Sequence, residues 1–161
     1  MENLQQLDIF IFILGFFCGA CLGSFASALV WRVPRRIPWI YNVDEAGKFL
    51  GFVRSKCPQC HTTLQSIDLI PVISWTIQKG KCRYCDAKIG RIYPFLELLA
   101  GFIGGFIFVI FGLSMQAFLV LVTITFFVIF MCMGILQKYW SYQILIILIF
   151  LSLLFLIFTG F

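Results

Sequence analysis

Cys57-Pro-Gln-Cys60 and Cys82-Arg-Tyr-Cys85 are two Cys-x-x-Cys pairs with 21 residues between them. Four thiolates spaced in twos suit one tetrahedral divalent metal ion, zinc above all. Four sulfur ligands close the coordination shell and leave no position for water, so the expected role of the Zn2+ is structural rather than catalytic. Lys56, Lys81 and Arg83 lie beside the ligands and would offset the charge of a tetrathiolate. Two other chemistries compete for the same residues. Disulfides require an oxidising compartment. A redox Cys-x-x-Cys normally occurs once, at the start of a helix in a soluble α/β domain. Two copies in one turn-rich stretch favour zinc knuckles over both. His61 adjoins Cys60 but reads as a surface residue, because four cysteines already suffice. Cys18, Cys21 and Cys132 lie in apolar runs and read as small packing residues.

The sequence assigns no catalytic residue outright; the candidates are Glu97, Asp68 and Arg32. Glu97 follows the loop by a few residues, at the start of an apolar run, where an ionisable group is costly and often functional. It reads equally as an acid favoured by the helix dipole or as a partner for Arg32 or Arg91. Asp68 precedes Ile70-Pro71, where the chain must turn, and it either binds a substrate amine or caps a short helix. Arg32 and Pro34 mark the exit of the first apolar run and read as a membrane-edge anchor. Trp31, Trp39 and Trp75 read as interfacial aromatics, and Arg35-Arg36 as a lipid-facing pair.

The elements that must position these residues are membrane helices. The 161-residue chain is 61% hydrophobic and 12% charged, with a mean hydropathy of +1.01. Those values exclude a soluble globular domain and indicate an all-α integral membrane protein. Residues 1–31 contain the first apolar run, Ile9 to Trp31, read as a span rather than a secretory signal because no basic segment precedes it. Residues 32–92 form a basic loop, and residues 93–161 hold three further runs at Phe95 to Leu113, Ala117 to Leu136 and Tyr142 to Phe161. Each run is near the roughly 20 residues a spanning helix needs, which predicts four transmembrane helices with a zinc-knuckle loop between the first two. Eleven of the twelve Lys and Arg residues fall between Arg32 and Arg91, against four acidic residues, so the loop carries +7 while the whole chain carries +5. The positive-inside rule puts this loop in the cytoplasm, with both termini outside and Lys138 on the inner side. Anionic lipid is the natural neighbour of the loop. Nucleic acid is not, because the cations are interleaved with cysteines and prolines and no nucleic-acid motif appears. Gly15, Gly19, Gly23 and Ser27 recur every four residues, as do Gly101 and Gly105, and predict close packing between helices within the chain.

A longer series of residues carries a resemblance. Gly23-Ser24-Phe25, Arg32-Val-Pro34 and Ser55-x-Cys57-Pro58-x-Cys60 occur in order. Asp68-Leu-Ile-Pro71-x-x-Ser74-Trp75, Gly80-Lys81-Cys82-Arg83-x-Cys85 and Tyr93-Pro94-x-x-Glu97 follow. From about Gly15 to Gly105 the chain resembles the N-terminal part of bacterial prepilin peptidases, the leader peptidase/N-methyltransferases of type IV pilus and type II secretion systems. The resemblance implies a multi-pass protein of the bacterial inner membrane that acts on type IV prepilins or pseudopilins. Such enzymes cleave the leader on the cytoplasmic side and then methylate the new N-terminus with S-adenosylmethionine. Their proteolysis depends on two aspartates, one within a Gly-x-Gly-Asp motif. Here no aspartate follows Asp86, and the region expected to carry the first reads Met131-Cys-Met-Gly134-Ile-Leu-Gln-Lys138. Glu97 alone cannot form a proton-sharing pair of carboxylates. Ala26-Ser27 and Ile92 also depart from the family pattern. Three functions remain open: a pilin N-methyltransferase without protease activity, a non-catalytic subunit that binds prepilins or a separate peptidase, and a truncated gene product.

Overall fold

A computed structural model describes residues 2–37, 41–43, 48–52 and 54–159; Trp39 lies outside the described residues. Among the described residues, four long helices carry the chain. α1 is Glu2–Arg32, the five-residue α2 is Ile73–Ile77, α3 is Ile92–Phe111, α4 is Met115–Gln137 and α5 is Tyr142–Thr159. Three segments, Gln6–Arg35, Ile92–Phe111 and Met115–Ile135, are long and apolar enough to cross a membrane, and the apolar helix Tyr142–Phe158 is shorter. The protein is thus an α-helical membrane protein with its cysteine loop between the first two of these segments. At 1.5 Å per residue the 31 residues of α1 extend about 46 Å, well past a hydrocarbon layer of roughly 30 Å.

The loop also contains a short antiparallel hairpin of β1 (Tyr41–Val43) and β2 (Phe49–Phe52). Its register breaks between Asn42 and Val43.

Helix boundaries follow local chemistry more than apolar runs. α3 starts at Ile92, three residues before the run at Phe95, because Pro94 lies in the first turn, where its missing N–H has no helical acceptor to lose. Gly112, at φ 67°, ends α3. Ser114 Oγ then accepts the Ala117 N–H at 3.1 Å and caps α4. The connecting turn therefore closes at Ser114 rather than running on to Gln116 as the sequence spacing suggested.

Helices α1 and α3 form the most extensive helix pair. A β-carbon on Gly15 would meet the Gly104 carbonyl oxygen at 2.6 Å, and one on Gly23 would meet the Ala100 β-carbon at 2.6 Å. The predicted α1 row therefore packs against backbone within the chain, but its partners on α3 are Ala100 and Gly104 rather than the predicted Gly101 and Gly105. Gly101 and Gly105 accept the rings of Phe16 and Phe12. Phe12, Phe16, Phe102 and Phe106 continue this seam, with centroids 5.4 Å apart for Phe16–Phe102 and 5.5 Å for Phe12–Phe106. Helix α4 completes two cores. Ile107, Phe108, Ala117 and Leu121 join α3 to α4, and Leu29, Ile129, Met133 and Ile144 join α1, α4 and α5. The result is a fixed helical frame on which the loop rests.

Candidate metal centre and membrane-edge cleft

The two Cys-x-x-Cys turns have the same backbone. In the first, His61 N–H donates to the Cys57 carbonyl at 2.9 Å and Cys57 N–H donates to the Thr62 carbonyl at 3.0 Å. In the second, Asp86 N–H donates to Cys82 at 3.0 Å and Cys82 N–H donates to Ala87 at 2.8 Å. The bridges Lys56–Thr63 and Lys81–Lys88 close both at the same offsets. The residue after each second cysteine is left-handed, His61 at φ 57° and Asp86 at φ 56°. His61 is thus an exposed turn residue. Asp and His tolerate this conformation better than most residues, so the sequence supports the turn locally.

The turns face each other and bring together Cys57, Cys60, Cys82 and Cys85, whose sulfurs all lie within 4.8 Å of one another. Cys57 Sγ and Cys85 Sγ are 3.9 Å apart. Zinc–sulfur bonds of about 2.3 Å give a tetrahedron with edges of about 3.8 Å, so the quartet fits a tetrahedral metal ion. All seven cysteines are free. Crowding spreads the titration of the metal-free thiols. The Thr62 hydroxyl and N–H, bonded to Cys60, bring its pKa down to about 6. For Cys85, a hydrogen bond from Ala87 N–H favours the thiolate. Burial and the thiols of Cys60, Cys82 and Cys57 outweigh it and push the value up to about 12. Close sulfurs resist simultaneous ionisation, and a divalent cation relieves that repulsion.

Asp68 ties the two halves of the loop together. Its side chain is 2% exposed. Oδ2 accepts the Gln65 N–H at 3.0 Å and the Tyr84 hydroxyl at 3.2 Å. Oδ1 accepts Gln78 Nε2 at 3.0 Å and pairs with Arg83 Nε at 3.6 Å. The Gln65 bond caps the 3-10 turn Ser66–Leu69. Trp75 is a second tie. Its Nε1–H donates to the Ile89 carbonyl at 3.1 Å. Its ring covers Gly80, where a β-carbon would come within 2.8 Å of it. Trp75 is therefore an internal strut of the loop, not an interfacial anchor. Trp31 is exposed, with the Arg35 guanidinium 4.8 Å above its ring.

A cleft of about 300 Å3 opens between α1 and the loop. Cys21, Ser24, Phe25, Ala28, Leu29 and Arg32 supply the α1 wall, and Ser55, Leu69 and Pro71 supply the loop wall. Arg32 reaches across to Ser55 Oγ at 3.4 Å. Glu97 sits behind the loop wall, where its Oε2 accepts the Val72 N–H at 2.7 Å. Among the described residues it pairs with neither Arg32 nor Arg91. Of the three catalytic candidates, Arg32 lines the cleft, Glu97 backs it and Asp68 is engaged inside the loop. Val72, Gln78 and Tyr84 escaped the sequence reading, since their roles depend on contacts 10 to 25 residues away. Thr62 escaped it too, since the equivalent residue of the second turn is Ala87 and the repeated offsets do not call for a hydroxyl.

Comparison with known proteins follows the same residues. The family described as Bacterial Peptidase A24 N-terminal domain matches residues 17–111. A "Type 4 prepilin-like proteins leader peptide-processing enzyme" of Escherichia coli O78:H11 is 34% identical over 110 residues, which is 61% of this chain and 39% of that protein. A "Prepilin leader peptidase/N-methyltransferase" of Stutzerimonas stutzeri is 31% identical over 73% of this chain and 45% of its own length. A protein of the same name from Bacillus subtilis is 33% identical over 71% and 42%. The chain thus spans less than half the length of these relatives. No solved structure matches it.

Proposed function

The chain belongs to the bacterial peptidase A24 N-terminal domain family, and from that premise we propose that it handles type IV prepilins or pseudopilins at the inner membrane as a methyl-transferring protein. One observation carries this reading. Residues far apart in sequence that define the resemblance, namely Ser24, Phe25, Arg32, Ser55 and Pro71, line a single cleft. Zinc in the four-cysteine cage fixes the loop wall of that cleft. The cage keeps no open coordination position, so the metal takes no part in the chemistry. The loop faces the cytoplasm, where its cations meet anionic lipid, and both termini face outward.

The cleft is at the small end of ligand pockets, which hold about 300–1,000 Å3. Arg32 would hold the carboxylate of S-adenosylmethionine, and the apolar wall of Phe25, Leu29 and Leu69 would hold the first residues of a cleaved pilin. The bound donor would supply an electrophilic methyl group to the pilin amine, its S–CH3 bond breaking to leave S-adenosylhomocysteine, while the proton lost from the amine passes to water. Leader cleavage is no part of this reading, which draws only on the residues of the cleft. The test is transfer of labelled methyl from S-adenosylmethionine to a leader-free pilin by the purified protein in lipid. Incorporation that falls at least tenfold on Arg32→Ala is expected; its absence in the wild-type protein refutes the reading.

A second reading draws on a different observation. Asp68 and Glu97 are both engaged in holding the loop, so neither is available as a base. A non-catalytic subunit that binds prepilins or a separate peptidase fits that engagement. Under it, the same assay gives no methyl transfer while a pilin peptide still binds.

A further inference from the structure

The turn that brings Pro71 to the cleft is strained, and a single carboxylate holds it. Val72 has φ 62° and ψ −47°. Across it, the Ile73 N–H donates to the Pro71 carbonyl at 2.6 Å. Those dihedrals and that two-residue hydrogen bond define the rare positive-φ form of the γ-turn. A β-branched residue is among the poorest occupants of positive φ, so the sequence works against the conformation it adopts. Such strain persists only where the surroundings enforce it.

The enforcing groups are identifiable. Pro71 restricts Ile70 to extended backbone, observed at φ −67° and ψ 117°. Immediately beyond the turn, the Thr76 N–H and hydroxyl both donate to the Val72 carbonyl, at 3.0 and 2.8 Å. These contacts fix the two sides of the turn and leave the Val72 N–H directed away from them. Glu97 Oε2 accepts that N–H at 2.7 Å, the length of a charge-assisted bond. The backbone of Glu97 is itself held by the tightest helix pair, since a β-carbon on Gly23 would lie 3.4 Å from the Glu97 α-carbon. A rigid helix thus grips the strained turn, and Leu69 and Pro71, the cleft wall, lie three residues and one residue before Val72.

We propose that Glu97 is a positioning residue: its carboxylate keeps the Val72 γ-turn in its strained form and so sets the distance between the loop wall and α1. The proposal rests on the cleft being the substrate site, and it gives Glu97 a role there other than proton transfer. Without the carboxylate, Val72 returns to negative φ and the wall carrying Leu69 and Pro71 shifts away from Arg32.

The test uses the full, metal-loaded chain in lipid nanodiscs, with hydrogen exchange over residues 69–77 as the readout. Glu97→Gln is expected to speed exchange there about tenfold, the loss of one charge-assisted bond. Glycine adopts positive φ freely, so adding Val72→Gly to Glu97→Gln should bring exchange back to within about threefold of Val72→Gly alone. Methyl transfer, where present, should show a raised KM in Glu97→Gln that the second substitution reverses. Exchange unchanged in Glu97→Gln, or no suppression by Val72→Gly, overturns the proposal. If Glu97→Gln loses the loop's metal, Glu97→Asp, with its charge one methylene short, makes the same comparison. The suppression pattern in a protein that transfers no methyl upholds the clamp and removes only the reading of the cleft as a methyl-transfer site.

Discussion

Asp68→Ala should loosen the metal without touching a ligand. The substitution removes the acceptor for the Gln65 cap, for Gln78 and for Tyr84, and strips Arg83 of its partner. A lost cap costs about 1 kcal/mol. Each hydrogen bond to a buried charge contributes about 1.5 kcal/mol. The Arg83 pair adds at most about 0.5 kcal/mol, because it is 3.6 Å long and Arg83 is 46% exposed. These contributions share one carboxylate and do not add fully, so the expected loss is about 3 kcal/mol. Loop folding and metal binding are one equilibrium in a small site. The loss should therefore appear as a metal dissociation constant raised about 150-fold. Competition with a chromophoric chelator measures it. Tyr84→Phe alone should weaken the metal only about tenfold, and the pair Asp68→Ala/Tyr84→Phe should be no weaker than Asp68→Ala. A constant for Asp68→Ala within about threefold of wild type, or full additivity with Tyr84→Phe, would refute the reasoning.

Two other outcomes follow from the same contacts. Gly104→Val should separate α1 from α3, because its β-carbon would lie 2.9 Å from the Gly19 α-carbon, in contact with backbone that cannot give way. A loss of about 2 kcal/mol or more is expected in reversible unfolding in detergent, and wild-type stability would contradict the packing. Metal affinity should rise with pH. In the metal-free quartet Cys85, at about 12, keeps its proton throughout the neutral range, so binding must displace at least one proton and log affinity should climb by about one or more per pH unit. Cys60, at about 6, binds a second proton as pH falls past its own value, so the slope should steepen below that point. An affinity independent of pH between about 6 and 8 would contradict this linkage.

What the sequence disclosed depended on the range of each interaction. Cysteine spacing named the four sulfurs that come together, because each turn is built within six residues and its left-handed residue falls at His61 and Asp86. Glycine spacing named the α1 face that packs closely, because backbone approach leaves a four-residue period, but on α3 it picked Gly101 and Gly105, where Ala100 and Gly104 make the contact. Pro94 and Ser114 moved helix ends away from the limits of the apolar runs, a local effect that hydropathy does not register. The candidate site was less legible. Asp68 was visible as a cap, yet its bonds to Gln78 and Tyr84 join residues 10 and 16 positions away. Pro71 announced a turn, while Val72 argued against the form that turn takes, and the Glu97 carboxylate that accepts its N–H lies 25 residues on. Trp75 looked like an interfacial aromatic because its partner, the Ile89 carbonyl, leaves no mark in sequence.

X-ray absorption at the zinc edge of protein purified without chelators tests the metal centre most directly. The account predicts one zinc per chain bound by four sulfurs at about 2.3 Å, with no nitrogen or oxygen in the first coordination sphere. A metal-free protein with intact loop structure, or a spectrum with fewer than four sulfurs, would contradict it.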